Sequence, residues 1–135
     1  MGVNFDVVLA ANSLIEQGRF DEARSCYADD LRGVSPTYDF EGVDAWIEAI
    51  QAQNGPFSDV ATTMTPVAEL DDRVVFEWEW QGTHSGTISA AGFELPPTGK
   101  RISMRGMALF EFADGRISSF RQYWDNAAVA AQFMS

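Results

Sequence analysis

The chain of 135 residues holds one cysteine, one histidine and nine basic residues against twenty acidic ones. A single cysteine, Cys26, excludes an internal disulfide framework and any cysteine-rich zinc site. A single histidine, His84, excludes a histidine-rich metal centre, and no carboxylates cluster at ligand spacing. Neither a metal nor an organic cofactor is expected. The shortage of positive charge leaves a formal net charge of −11, a surface that repels phosphate backbones and anionic lipid. Nucleic-acid and membrane partners are therefore not expected. The start, Met1-Gly2-Val3-Asn4-Phe5-Asp6, has neither the basic beginning nor the apolar run of a secretory signal, and no stretch approaches membrane-spanning length. A cytoplasmic protein is the expectation.

What is plentiful is aromatic: ten Phe, four Trp and three Tyr, with hydrophobic residues at 46%. That suits one globular domain covering residues 1–135, with a core that either is plainly rigid or also walls an apolar cavity. Apolar residues Val7, Val8, Ala11, Leu14 and Ile15 recur at helical spacing before Gly18, a C-terminal stop. Phe20, Ala23 and Tyr27 share one side of a second short helix, which would carry Cys26 as a buried structural thiol. Residues 29–34 read as extended, 35–42 as a loop and 43–53 as a third helix burying Val43, Trp46, Ile47 and Ile50.

Strands fill the remainder. Residues 60–70 have a strand-like mixture, and Arg73 to His84 alternates cleanly, with Val74, Phe76, Trp78 and Trp80 on one face and Val75, Glu77, Glu79 and Gln81 on the other. Residues 85–99 form a Gly/Pro-punctuated excursion, long enough to be a lid or rim. Strands Arg101–Ala113 and Arg116–Trp124 are joined by Asp114-Gly115, a strong hairpin signal, and Asn126 is placed to cap a short helix over 127–133. Helices first, then antiparallel strands, give an α+β class with helices segregated to one face of a curled sheet, bulged or bent at Gly82, Gly86 and Gly106.

Several residues admit two readings. Five basic residues, Lys100, Arg101, Arg105, Arg116 and Arg121, gather on the last two strands, either as cross-strand partners of carboxylates or as a field for an anionic substrate. His84 stands where a strand meets the long loop, as a backbone-bonded structural residue or as an acid–base group. Glu77 and Glu79 face either the interior, where burial would make Glu79 a usable acid or base, or solvent. If the glutamates face inward, the stripe Phe76, Trp78 and Trp80 is left outside and calls for a dimer through the outer sheet face. Tyr38 is placed to donate at a pocket mouth or to cover the core. Trp46, Phe57, Phe110, Phe120 and Trp124 are the candidate apolar wall.

The segments Gly82-Thr83-His84-Ser85-Gly86, Leu95-Pro96-Pro97-Thr98-Gly99, Ala113-Asp114-Gly115-Arg116-Ile117 and Tyr123-Trp124-Asp125, in this order, resemble the SnoaL-like polyketide cyclases of the nuclear-transport-factor-2-like superfamily. The resemblance implies a curved antiparallel sheet wrapped around three N-terminal helices as a cone, a short C-terminal helix, a pocket between helices and concave face, and a homodimer. It also implies that the cyclases' acid/base aspartate falls at Gln122, their supporting histidine at Ala108 and a nearby polar residue at Gly106. Limonene-epoxide-hydrolase-like groups would fall at Gln122, Glu79 and Gln81, and ketosteroid-isomerase-like ones at Ser35 and Ala11; neither set is complete. Gln cannot exchange a proton near neutral pH, so Gln122 is expected to orient a substrate carbonyl or hydroxyl by hydrogen bonding, or to be a buried amide held by backbone. Asp125, before the last helix, is expected either to favour that helix's N-terminus or to join the pocket.

The expected protein is thus a cofactor-independent cyclase or isomerase of secondary metabolism, acting by orientation on a hydrophobic, carbonyl-bearing small molecule. A hydrolase or hydratase using Glu79 or His84, or a non-catalytic binding or dimerising module, are the alternatives.

Overall fold

A computed structural model describes residues 2–90 and 92–135. Helices α1 (Val3–Glu16) and α2 (Phe20–Arg24) lead into strand β1 (Tyr27–Val34), short strand β2 (Asp39–Glu41) and helix α3 (Val43–Asn54). Strands β3 (Phe57–Glu69) and β4 (Arg73–His84) follow, then a small hairpin of β5 (Ile88–Ala90) and β6 (Phe93–Leu95). Strands β7 (Arg101–Ala113) and β8 (Arg116–Trp124) and helix α4 (Asn126–Met134) complete the chain. The main sheet has six strands in the order β2-β1-β8-β7-β4-β3, curved but not closed, with α1 and α3 against its concave face. This is the expected α+β cone, with one difference in its pairing. β1 lies parallel to β8, because the chain returns to β1's side of the sheet only after β2, α3 and the β3–β7 strands.

Alternation in β4 is the organising pattern. Eleven consecutive residue pairs, from Arg73↔Glu111 to Thr83↔Arg101, keep β4 and β7 in unbroken register. Val74, Phe76, Trp78 and Trp80 are therefore all buried, and Glu77 and Glu79 are exposed on the convex face. The outward alternative for the glutamates holds, and the tryptophan stripe gives no motive for a dimer. Tyr123 and Met107, at 57% and 46% exposure, are the large apolar residues on that convex face instead.

Bends occur elsewhere than expected. Register shifts fall between Ser58 and Ala61, between Pro66 and Ala68, and beside Glu111 and Phe112, while Gly82 and Gly106 sit in regular pairing. These two glycines make room for rings. A Cβ on Gly82 would meet the Trp80 indole at 2.8 Å, and one on Gly106 would meet the Trp78 indole at 2.8 Å and the Tyr123 carbonyl oxygen. Pro66 lies on β3, an edge strand, where a missing N–H costs no central ladder bond.

Local chemistry sets the helix ends. Gly18, at φ +75°, closes α1 with Gly18 N–H donating to Ile15 and Arg19 N–H to Leu14, the paired bonds of a left-handed stop. The second helix ends at Arg24, earlier than expected. Ser25 Oγ donates to Glu22 O and Cys26 N–H to Ala23 O, tightening its last turn so that Tyr27 enters β1. Cys26 is half-buried in that turn, and burial raises its thiol pKa, which keeps it neutral. Part of the expected 35–42 loop is β2, braced by Arg32 to Asp39 (3.0 Å) and Glu41 (3.1 Å). The 85–99 excursion contains the β5–β6 hairpin, and Ala91 within it lies outside the described residues.

Two glutamates fasten α1 along the open edge of β3. Glu69 Oε1 accepts from the N–H groups of Gly2 and Phe5 at the helix start, and the Glu16 carboxylate accepts from Thr62 N–H at its end. At the other end Asp125, rather than Asn126, caps α4, accepting from Ala128 N–H at 3.1 Å. Beyond Gly106, β7 has no partner on its β8 side, and α4 fills the gap: Gln132 Oε1 accepts from Ser103 N–H (2.8 Å) and Nε2 donates to Ser103 O (2.6 Å).

Gly106→Val should cost about 1–3 kcal/mol in urea unfolding, because the new side chain meets an indole and a carbonyl that cannot both retreat.

Candidate active site

Even-numbered residues of β4, with inward residues of β7 and β8, face α1 and α3 across a cavity of about 80 Å³. Phe76, Trp78 and Trp80 form one wall, and Met104, Phe110, Gln122 and Trp124 continue it. Val8, Asn12, Ile15 and Glu16 come from α1, and Trp46, Ile50, Gln53 and Asn54 from α3. Tyr27, Tyr38, Thr62 and Met64 complete the lining. The aromatic residues lie deep, whereas Asn12, Glu16, Gln53, Asn54 and Thr62 are half-buried and form the polar side toward solvent. The volume is well below the several hundred Å³ of a pocket that encloses a drug-sized ligand, so a large ligand enters only if the walls move.

Gln122 is in this wall, and its partner is a side chain rather than backbone. Its Nε2 donates to Tyr38 Oη at 2.7 Å. Whichever way the amide is turned, the pair keeps one donor and one acceptor uncommitted. Burial pushes the Tyr38 pKa up to about 12, against smaller opposing effects of hydrogen bonds with Gln122 and Ser35. Tyr38 is therefore a neutral hydroxyl at working pH. Burial raises Tyr27 further still, with a lesser opposing contribution from Trp46.

Several polar atoms of the lining residues are buried without a partner. The indole N–H groups of Trp78 and Trp80 are buried with no hydrogen-bond partner, as is Asn54 Oδ1. The Trp46 N–H leans on the Tyr27 hydroxyl without reaching hydrogen-bond geometry. Each unmatched buried group costs about 1–3 kcal/mol.

The remaining sequence candidates divide. Trp46, Phe110 and Trp124 line the cavity with Tyr38 and Gln122. Phe120 lies behind it, stacked on Phe110 at 4.9 Å and edge-on to Trp46 at 4.8 Å. Ala108 is buried beside the wall without lining it, and Gly106 adjoins the outer face through Trp78. Phe57 packs on Trp80 and His84 outside the cavity. Glu79 is on the convex face, paired in register with Arg105, and Asp125 is the exposed α4 cap.

His84 is fully buried, yet it does not line the cavity. Thr98 N–H donates to its Nδ1 at 3.2 Å, with Thr98 Oγ1 at 2.9 Å, so Nδ1 carries the lone pair and Nε2 the proton of the neutral ring. The ring packs between Phe57 and Phe133, pinning the Pro-Pro-Thr-Gly loop to the end of β4. Of the five clustered cations only Arg121 approaches a carboxylate, Glu111 at 3.8 Å. Lys100, Arg101 and Arg116 bond to backbone carbonyls, and none of the five lines the cavity. Sequence reasoning missed Asn12, Glu16, Gln53, Asn54 and Thr62. The signal was available at Asn12 and Glu16, which fall on the apolar stripe of α1 at helical spacing from Val8.

The sequence profile of the SnoaL-like polyketide cyclases matches residues 5–133. The chain belongs to that family. Solved structures agree in fold. IdmH of Streptomyces antibioticus, a proposed polyketide cyclase, is 22% identical, with a TM-score of 0.82 over 98% of this chain and 99% of its own. A proposed polyketide cyclase from Acidithiobacillus ferrooxidans is 24% identical, with a TM-score of 0.82 over 99% and 96%. AclR of Streptomyces galilaeus, a proposed hydroxylase, is 17% identical, with a TM-score of 0.79 over 97% and 95%. A search of curated protein sequences gives no significant match. Family membership supports a general cyclase role with a small-molecule substrate. Among the described residues no three His, Cys, Asp or Glu side chains are grouped to hold a metal, and no helix is long and apolar enough to cross a membrane.

His84→Ala should lower unfolding free energy by about 1–3 kcal/mol, since Thr98 N–H loses its buried acceptor. Glu79→Gln, on the convex face, should leave both stability and ligand affinity unchanged. A denaturant titration and a binding isotherm check both.

Proposed function

We propose that this SnoaL-like protein is a cofactor-independent cyclase or isomerase of secondary metabolism, acting on a neutral, carbonyl-bearing, polyketide-derived small molecule chiefly by holding it in a reactive shape. The observation that carries the reading is the Tyr38–Gln122 pair, a neutral donor–acceptor unit in an otherwise aromatic wall. Among the described residues no Lys, Arg or His lines the cavity, so an anionic ligand would have no counter-charge, whereas a ketone oxygen has the Tyr38–Gln122 pair to approach. Orientation of a pre-reactive conformer supplies rate enhancement without a strong acid at the last strand, where this chain has Gln122.

The hydrolase reading through Glu79 or His84 loses its support, since neither side chain lines the cavity. The working unit is proposed to be a homodimer joined through the convex face, where Tyr123, Met107, Val75 and Leu109 lie together among charged neighbours.

The test uses 2-indanone, a small bicyclic ketone, followed by tryptophan fluorescence. Gln122→Ala should weaken its binding about two- to twelvefold, the equivalent of one neutral hydrogen bond at 0.5–1.5 kcal/mol. An unchanged dissociation constant would remove Gln122 from the site, and failure of the wild type to bind would end the carbonyl reading. Sedimentation showing a monomer at micromolar concentration would reject the dimer.

A further inference from the structure

One carboxylate has no place in the orientation scheme. Glu16, in the last turn of α1, is the sole carboxylate among the described lining residues, where only Tyr27 and Tyr38 are otherwise titratable. We propose that Glu16 is the proton-transfer base of this pocket, the acid–base role having moved from the last strand to the first helix. The inference rests on the carbonyl-binding reading above and assigns that reading its missing group.

The geometry suits the task in three respects. Glu16 is anchored, because both carboxylate oxygens share the Thr62 N–H at 3.3 and 3.2 Å, fixing the side chain between α1 and the edge strand β3. It is not saturated: one shared N–H and the nearby Asn12 amide leave lone pairs on a group with about four acceptor sites. It is also carried by a different element from the Tyr38–Gln122 pair. Glu16 is on helix α1, anchored at edge strand β3, whereas Gln122 is on β8, so a substrate in the cavity can present its carbonyl to the pair and its acidic C–H to Glu16. Burial raises the Glu16 pKa above the ordinary carboxylate value, with smaller opposing contributions from the Thr62 and Asn12 bonds. A carboxylate so shifted is a stronger base than one in water.

The chemistry balances without a co-reactant. The Glu16 carboxylate takes a proton from the carbon beside the ketone. The C–H pair becomes the new C=C bond, and the carbonyl π pair moves onto oxygen as an enolate, which receives the hydrogen bonds of the wall. In an isomerisation, protonated Glu16 returns the proton at another carbon of the conjugated system. In a cyclisation, the enolate carbon attacks a second carbonyl, and Glu16 gives its proton to the new alkoxide.

Exchange of the benzylic α-hydrogens of 2-indanone in D₂O, followed by proton NMR, reads this step directly. The critical variant is Glu16→Gln, whose side-chain oxygen can still accept from Thr62 N–H, so the α1–β3 bond and the fold are kept while the base is lost. Wild type should accelerate exchange, and Glu16→Gln should lose a hundredfold or more of that acceleration, the usual scale of general acid–base catalysis. Its affinity for 2-indanone and its thermal melting should stay as in wild type. The wild-type rate should rise with pH through the ionisation of Glu16, a limb shifted upward from the ordinary carboxylate value by burial, and the variant should lack that limb. Equal exchange by wild type and Glu16→Gln, with binding intact, would overturn the role of Glu16 and leave the carbonyl reading standing. No binding by either protein would overturn both.

Discussion

Unbroken register between β4 and β7 is the constraint from which the rest of the structure follows. Side chains in a strand alternate with a strict period of two, so a single slip would turn every tryptophan of β4 toward water and every glutamate inward. Eleven pairs without a shift leave no such freedom. The concave face of β4 is committed to Val74, Phe76, Trp78 and Trp80, and α1 and α3 must supply apolar surface opposite it. The bulges fall on edge strand β3, between Tyr27 and Arg32 along β1–β8, and at the β7–β8 end, where they curve the sheet without breaking the β4–β7 register.

That wall serves two purposes that compete. A core packs best with every polar atom matched, yet the indole N–H groups of Trp78 and Trp80 are buried without a partner. Phenylalanine at both positions would fill a similar role in packing without the unmatched donors. The cavity-lining residues Phe76, Trp78, Trp80 and Phe110 are also members of the buried core. Evolution of a new specificity here cannot be separated from stability, because the ligand-facing residues lie within the hydrophobic core.

Elements were legible in the sequence where a single local rule governs them. The β4 alternation, the Asp114-Gly115 turn and the Gly18 stop each depend on a few neighbouring residues, and each stands where expected. Parity of the glutamate face was not legible in isolation, since it depends on whether bulges intervene, and these arise from packing between distant strands. Gly82 and Gly106 illustrate the same limit: the sequence marks them as special, but only the neighbouring indoles, Trp80 on the same strand as Gly82 and Trp78 across from Gly106, reveal that the reason is space rather than backbone bending. At the site, Gln122 was found through its place in a familiar strand. Its partner Tyr38 is 84 residues away, and no periodicity connects them. Glu16 escaped notice because a polar residue late in an amphipathic helix reads as surface until β3 is seen to cross beside it.

The last turn of α4 has a consequence for the sheet as a whole. Where β8 stops, β7 would otherwise present bare backbone, and Gln132 answers it with one amide that both donates and accepts at Ser103, as a neighbouring strand would. A side chain thus substitutes for a missing strand. A polypeptide clipped before that glutamine would uncover the unpaired first stretch of β7, onto which a strand from another molecule could pair. The terminal helix therefore covers an open stretch of sheet backbone as well as completing the cone.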